Sequence, residues 1–186
     1  MSAIRSKQGK KNRKKPKKLF KYLGKTKIEE LLERARNDNR RNYLILLTLW
    51  RTGMRNSELV NLRKRDIKFD EERIIIHQGK GKKDRWIPLD QSLADLLAYH
   101  TGDMALDEQL FPLSTAQIRN IVHKYEGPDQ VKPHTFRHSF AVHCLKGGMN
   151  IRSLQKILGH NDLATTAVYL DLIGKDIVED FRKIEW

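Results

Sequence analysis

The sequence of 186 residues contains one cysteine, no long apolar run and no acidic residue before position 29. The single cysteine, Cys144, excludes a disulfide within the chain, and its place in an apolar helical run favours packing over reactivity. The longest apolar run, residues 43–50, is far shorter than the roughly 20 residues of a membrane-spanning helix. No hydrophobic segment follows the basic N-terminus, so it is not a signal peptide. These absences predict a soluble, cytoplasmic protein.

Positive charge is concentrated at the N-terminus. Of the net charge of +14, most comes from residues 1–28, which contain 12 Lys or Arg, whereas the remainder carries 25 basic and 23 acidic residues. Such a composition predicts a disordered tail, assigned to residues 1–24, ahead of one folded domain over residues 25–186. Its expected target is DNA phosphate, because neutralising phosphates releases condensed counterions; RNA binding and simple solubility are the alternatives. The expected DNA-binding residues of the tail are Lys10, Lys11, Arg13, Lys14, Lys15, Lys17 and Lys18.

The apolar periodicity changes twice along the chain. Helical periods come first, then three β-branched or aromatic runs, then helical periods again. Early helices are predicted from Thr26, as a capping residue, to about residue 37, over residues 40–52, and near Arg55. The β-type runs are residues 67–69, 74–76 and 85–89. Later helices are predicted over about 93–101, 114–126, 133–146 and 151–158, around residue 169, and over 175–185. The fold class is therefore mainly α with a small three-stranded antiparallel sheet (α+β).

Residues suited to phosphodiester chemistry are concentrated between positions 134 and 169. The segment reads His134-Thr-Phe-Arg137, then Leu-Gly-His160, then Tyr169 nine residues later. A guanidinium presents a planar fork of donors to phosphate oxygens and stays protonated. Tyrosine is a weak nucleophile at neutral pH, so it needs a cationic setting or a nearby base. Taken alone, a tyrosine after an apolar helix usually serves packing.

A metal site is the alternative for this segment. His134 and His138 lie four residues apart on a predicted helix, which is the spacing of two metal ligands. However, the glutamate that follows the first histidine in zinc proteases is absent, and no acidic third ligand stands out. We therefore predict no metal.

In order and spacing this segment resembles the catalytic segment of the tyrosine recombinases, the Xer and phage integrase family. Residues 52–59 are similar to the family's first arginine box, and Gly79-Lys80-Gly81 is similar to its lysine hairpin. The resemblance covers residues 25–186 and implies the catalytic-domain fold of that family. It implies six catalytic residues, Arg55, Lys80, His134, Arg137, His160 and Tyr169, with Glu58 supporting an arginine. Lys82 and Lys83 are alternatives to Lys80 and expected DNA contacts.

The resemblance implies a DNA strand transferase. Tyr169 would form a 3′-phosphotyrosine bond with a DNA strand, and a 5′-hydroxyl would later reseal it. The two arginines would stabilise the phosphate oxygens, Lys80 would protonate the leaving 5′-oxygen, and the histidines would move or donate protons. Such chemistry requires no cofactor, metal or ATP. A topoisomerase IB-like enzyme that relaxes DNA and a DNA-binding regulatory protein with the same fold are the alternatives.

The chain departs from the family's usual pattern in two ways. Relatives usually carry a helical core-binding domain ahead of the catalytic one, whereas only the tail precedes it here, as expected of a minimal recombinase or a fragment. Many relatives also have a histidine where this chain has Asp171. The expected partner is double-stranded DNA, with a monomer in solution and a tetramer on paired sites. An apolar stripe on the last helix is expected to dock on a neighbouring subunit, or on its own domain: Ile177, Val178, Phe181 and Ile184.

Overall fold

The computed structural model describes residues 21–77, 84–126 and 130–159. In this part of the chain, helices precede and follow a small sheet, which confirms the predicted fold class. The helices are α1 Lys25–Asp38, α2 Arg40–Thr52, α3 Asn56–Asn61, α4 Gln91–Thr101, α5 Thr115–Glu126, α6 Pro133–Lys146 and α7 Ile151–Leu158. The strands are β1 Ile67–Lys68, β2 Arg73–Ile76 and β3 Arg85–Pro88, with 3₁₀ turns at Lys64–Asp66 and Phe69–Glu71. None of the described helices is long and apolar enough to cross a membrane.

Helix α2 lies at the centre of the core. It is apolar nearly all round, so it can be buried on several sides at once. It contacts α1, α4, α5 and α6, and its residues from Leu44 to Trp50 are buried. Helix α1 covers it with Ile28, Leu31, Leu32 and Ala35, as their spacing predicts. This central position lets the end of α2 contribute to the site described below.

Local capping residues set most of the helix ends. The Asn39 side chain accepts a hydrogen bond from the Asn42 N–H at 3.0 Å. Asp90 and Asn150 cap α4 and α7 in the same way. Capping by Thr26 was wrong: the N-cap of α1 is Gly24, two residues earlier, and its carbonyl accepts from the Ile28 N–H at 3.2 Å. The first turn of α1 therefore begins with a backbone hydrogen bond and has no side-chain cap.

The sheet is antiparallel, in the order β1-β2-β3. Ile74 pairs with Ile67 on one side and with Ile87 on the other, and all three are buried. Phe69, predicted to extend β1, instead begins a 3₁₀ turn that brings the chain back to β2. Pro88 ends β3, an edge strand, where its missing N–H leaves no ladder bond unmade.

Several predicted features lie outside the described residues. They are the tail up to residue 20, the segment 78–83 with Lys80, Lys82 and Lys83, and residues 160–186 with His160, Tyr169, Asp171 and the last helix. Leu23, within the range assigned to the tail, is described. It is buried, and its N–H donates to the Ser139 hydroxyl at 2.8 Å.

Candidate active site

Arg137 lies on α6 and is almost completely buried, with 1% of the residue exposed. Its Nη1 donates to the Gly53 carbonyl at 2.8 Å, and its Nη2 donates to the Leu158 carbonyl at 2.5 Å. The first acceptor ends α2 and the second ends α7. Arg137 therefore joins three helices that are distant in the sequence, and its guanidinium is fixed before any substrate arrives.

Gly53 ends α2 in the left-handed conformation, with φ +60°. A Cβ added at this position would overlap the Phe140 ring, which α6 packs against it. Both facts require glycine, because every other residue carries a Cβ and adopts this conformation only at a cost in free energy. The close approach of α2 and α6 at Gly53 brings its carbonyl within reach of Arg137.

Arg55 lies at the start of α3, and its side chain is 36% exposed. Its Nη1 donates to Glu58 Oε1 at 2.8 Å, so Glu58 holds the guanidinium as predicted. Its backbone N–H donates to Glu58 Oε2 at 2.6 Å, and its Nη2 makes a longer contact with the Gly159 carbonyl at 3.4 Å. Arg55 is thus anchored on one side and open to solvent on the other.

Glu58 also binds Arg85, at the start of β3. Arg85 Nη1 and Nη2 donate to the two carboxylate oxygens of Glu58, each at 2.8 Å, and its Nε donates to the Ile157 carbonyl at 2.7 Å. Burial by itself would raise the pKa of Glu58, but the hydrogen bonds from Arg85 and from the Arg55 backbone, with the Arg85 charge, lower it to about 2. The carboxylate therefore stays ionised at neutral pH.

Arg55, Arg85 and Arg137, which we call the arginine cluster, converge on the carboxyl end of α7. The carbonyls of the last residues of a helix have no partners within the helix and carry partial negative charge. Here three consecutive carbonyls accept from the cluster: Ile157 from Arg85, Leu158 from Arg137 and Gly159 from Arg55. Gly159 ends α7 with φ +64°. The end of α7 therefore sets the relative positions of three cations.

His134, on the first turn of α6, completes the described part of the site. Its ring lies edge-on to the His138 ring, with 4.8 Å between centroids. Burial, and then the charges of Arg137 and Arg55, lower the pKa of His134. The imidazole is therefore neutral at neutral pH and can accept a proton. Two guanidiniums beside a neutral imidazole suit an anionic substrate whose nucleophile must lose a proton.

The structure brings together four of the predicted residues, Arg55, Glu58, His134 and Arg137. The others, Lys80, His160 and Tyr169, lie outside the described residues. Arg85 was missed, because the sequence shows it only as a basic residue opening a strand. Its alternation with buried Ile87 was the available signal that it faces inward.

Burial raises the pKa of the Cys144 thiol to about 11, in keeping with a packing role.

Comparison with known proteins identifies relatives over most of the chain. The model of the Phage integrase family matches residues 21–174. A protein named tyrosine recombinase from Pseudothermotoga lettingae is 38% identical over 173 residues, which are 88% of this chain and 60% of that protein. The chain thus spans about three fifths of that relative's length.

Two solved structures share the architecture. The crystal structure of XerA recombinase aligns with 95% of this chain and 68% of its own, at 29% identity and a TM-score of 0.74. The XerH site-specific recombinase, bound to its difH substrate in a pre-cleavage complex, aligns with 92% of this chain and 56% of its own, at 25% identity and a TM-score of 0.71. The TM-scores show that both structures share the fold of this chain over the aligned residues.

Proposed function

Because the chain belongs to the phage integrase family, we propose that it cuts and rejoins strands of double-stranded DNA through a 3′-phosphotyrosine intermediate. The observation that carries the proposal is the anchoring of Arg55 and Arg137 on one helix end, with a neutral His134 nearby. This arrangement suits the charge that builds on a phosphate under attack. The XerH recombinase was captured with its difH substrate before cleavage, and the Tn1549 transposon integrase in complex with DNA, which supports DNA as the substrate here.

In the proposed reaction Tyr169 is the nucleophile. Its phenolic oxygen forms a bond to the phosphorus, the bond from phosphorus to the 5′-oxygen breaks, and the strand ends as a 5′-hydroxyl. In resealing, a 5′-hydroxyl of a partner strand attacks the same phosphorus and releases the tyrosine. The phosphoester energy is conserved in the enzyme linkage, so neither ATP nor a metal is required.

The described residues have distinct roles in this proposal. Arg55 and Arg137 bind the non-bridging oxygens, where charge grows in the transition state. His134 takes the proton of the Tyr169 hydroxyl. Its lowered pKa keeps the ring neutral, so a ring nitrogen is able to accept that proton. A protonated His134 beside two guanidiniums would be repelled, so the two cations also favour release of that proton later.

The remaining roles rest on the family resemblance. Lys80 protonates the leaving 5′-oxygen, and His160, which directly follows Gly159 in the sequence, donates to a phosphate oxygen. The basic tail and the lysines of the segment 78–83 bind flanking phosphates. We propose residues 25–186 as the catalytic unit, monomeric alone and tetrameric on paired DNA sites.

Covalent capture tests the proposal without a known target sequence. The protein is incubated with a randomised library of nicked duplexes, in which a cleaved strand loses its short end and cannot be resealed. Wild-type protein should form adducts that survive denaturation, whereas Tyr169→Phe should bind DNA but form none. Adducts of equal yield with Tyr169→Phe would refute the assignment, as would a wild-type protein that binds duplexes and never links to one.

A further inference from the structure

Arg85 is a buried cation for which the proposed chemistry has no direct use. Its side chain is only 8% exposed, so it cannot be an ordinary surface charge. All of its described hydrogen bonds go to two acceptors, the Glu58 carboxylate and the Ile157 carbonyl. Burying a guanidinium costs free energy unless its donors are paired, so the burial of Arg85 depends on these two acceptors.

The contacts of Glu58 explain what this arrangement controls. Oε1 accepts from both Arg55 Nη1 and Arg85 Nη1, and Oε2 accepts from the Arg55 backbone and Arg85 Nη2. The fork of Arg85 therefore fixes the plane of the carboxylate. Arg55 has one short side-chain bond, to Oε1, and its other contact is 3.4 Å long. The direction of Arg55 consequently depends on the orientation of Glu58.

We propose that Arg85 is a positioning residue that aims Arg55 at the scissile phosphate by fixing both Glu58 and the end of α7. The inference rests on the proposed function and deepens it. Arg85 holds the carboxylate that holds Arg55, and it also holds Ile157, two residues before the Gly159 carbonyl that contacts Arg55. Arg85 thus contributes to both supports of Arg55, the Glu58 carboxylate and the end of α7.

Without Arg85, Glu58 would be a buried carboxylate with one side-chain partner. Its proton affinity would rise, because burial favours the neutral form and the strongest opposing group is gone. A protonated Glu58 binds Arg55 weakly. Loss of Arg85 should therefore free Arg55, and the effect should grow as the pH falls.

The test compares the wild type with Arg85→Met, which keeps side-chain length, and with Arg85→Lys, which keeps the charge without the fork. Arg73→Met is the matched control, since Arg73 is also a strand arginine paired with a glutamate, Glu71, but is half-exposed. Adduct formation is followed on a captured nicked duplex, between pH 5 and 8. It is repeated on a duplex with a methylphosphonate at the scissile position, which carries no negative charge and needs less help from a guanidinium.

On the phosphodiester, Arg85→Met should slow adduct formation about 10- to 100-fold, the usual loss when a residue that orients a metal ligand is removed. The loss should be greatest at low pH, should shrink on the methylphosphonate, and should be partly recovered in Arg85→Lys. Arg73→Met should match the wild type. A loss that is equal on both substrates and at every pH would mean that Arg85 only supports the fold, and no loss would refute the proposal directly.

A measurement without DNA separates this inference from the proposed function. In ¹⁵N-labelled protein, the Nη hydrogens of Arg55, which donate to Glu58 and Gly159, should exchange with solvent faster in Arg85→Met than in the wild type, while those of Arg137 should be unchanged. If wild-type protein forms no adduct but Arg55 loosens in this way, the proposed function fails and the positioning role stands. If Arg55 is unchanged in both Arg85 variants, the positioning role is refuted.

Discussion

The two proposed phosphate-binding arginines are held in opposite ways. Arg137 is buried, and its donors meet backbone carbonyls at the ends of α2 and α7. Arg55 is partly exposed, and a carboxylate holds it. Carbonyls do not titrate, whereas carboxylates do. The fold therefore holds one cation through main-chain carbonyls and the other through a pH-dependent pair of side chains.

The largest effect on stability is expected from Arg137→Met. The substitution removes the donors to two buried carbonyls, and each unsatisfied buried group costs about 1–3 kcal/mol. The free energy of unfolding should fall by about 4 kcal/mol in a denaturant titration. Arg119→Met, on an exposed position of α5, is the control and should leave it unchanged. A drop below about 1 kcal/mol would show that the main-chain attachment is not structural.

Gly53→Ala should come next, because it moves the carbonyl that Arg137 binds. The added Cβ meets the Phe140 ring, and the left-handed conformation disfavours alanine. Together these should cost about 3 kcal/mol. Gly148→Ala isolates the conformational part, since Gly148 has φ +86° but open space around its Cβ position. Equal thermal shifts in the two variants would mean that the contact between α2 and α6 yields without cost.

Glu58→Gln should have an intermediate effect that depends on pH. The pKa of Glu58 falls from an ordinary 4.5 to about 2 in the folded protein. Its contribution is therefore complete above about pH 4.5 and is lost as the pH falls toward 2, a difference of about 3 kcal/mol. Denaturant titrations from pH 2 to 7 should show this acid-side loss in the wild type and a flatter profile in Glu58→Gln. Parallel profiles would contradict the carboxylate's role.

The smallest effect on stability is expected from Arg55→Met. A partly exposed ion pair contributes about 0–1 kcal/mol, so the variant should melt close to the wild type. Adduct formation should nevertheless fall by about 10²–10³, the usual loss for one preorganised donor. Parallel measurements of melting and of adduct yield check this. A large loss of stability would erase the contrast between the two arginines.

Local signals in the sequence set most of the helix ends, and the predicted helix ranges agree with the observed ones to within a few residues. Asp90 and Asn150 cap the helices that follow them, and glycines end α2 and α7, because these effects act within a few residues. Thr26 shows the limit of such signals, since the N-cap of α1 is Gly24, two residues before the predicted cap. The 3₁₀ turn at Lys64–Asp66 was not predicted, whereas a turn between the first two strands was predicted, and it takes the 3₁₀ form at Phe69–Glu71.

The site was predictable where the family resemblance supplied it and not beyond. Glu58 was expected to hold Arg55, and it does. Arg85 was not expected, because its partners Glu58 and Ile157 lie 27 and 72 residues away. No periodicity or spacing encodes a contact over that distance. The meeting of three arginines on one helix end arises from the tertiary fold.

This meeting makes α7 intolerant of changes in its length. An α-helix turns by about 100° and rises about 1.5 Å for each residue. One residue inserted between Asn150 and Gly159 would swing three consecutive carbonyls away from three arginines fixed on separate elements. No single side-chain replacement could restore all three contacts. Evolution can therefore accept substitutions within residues 150–159, but it cannot accept insertions or deletions there.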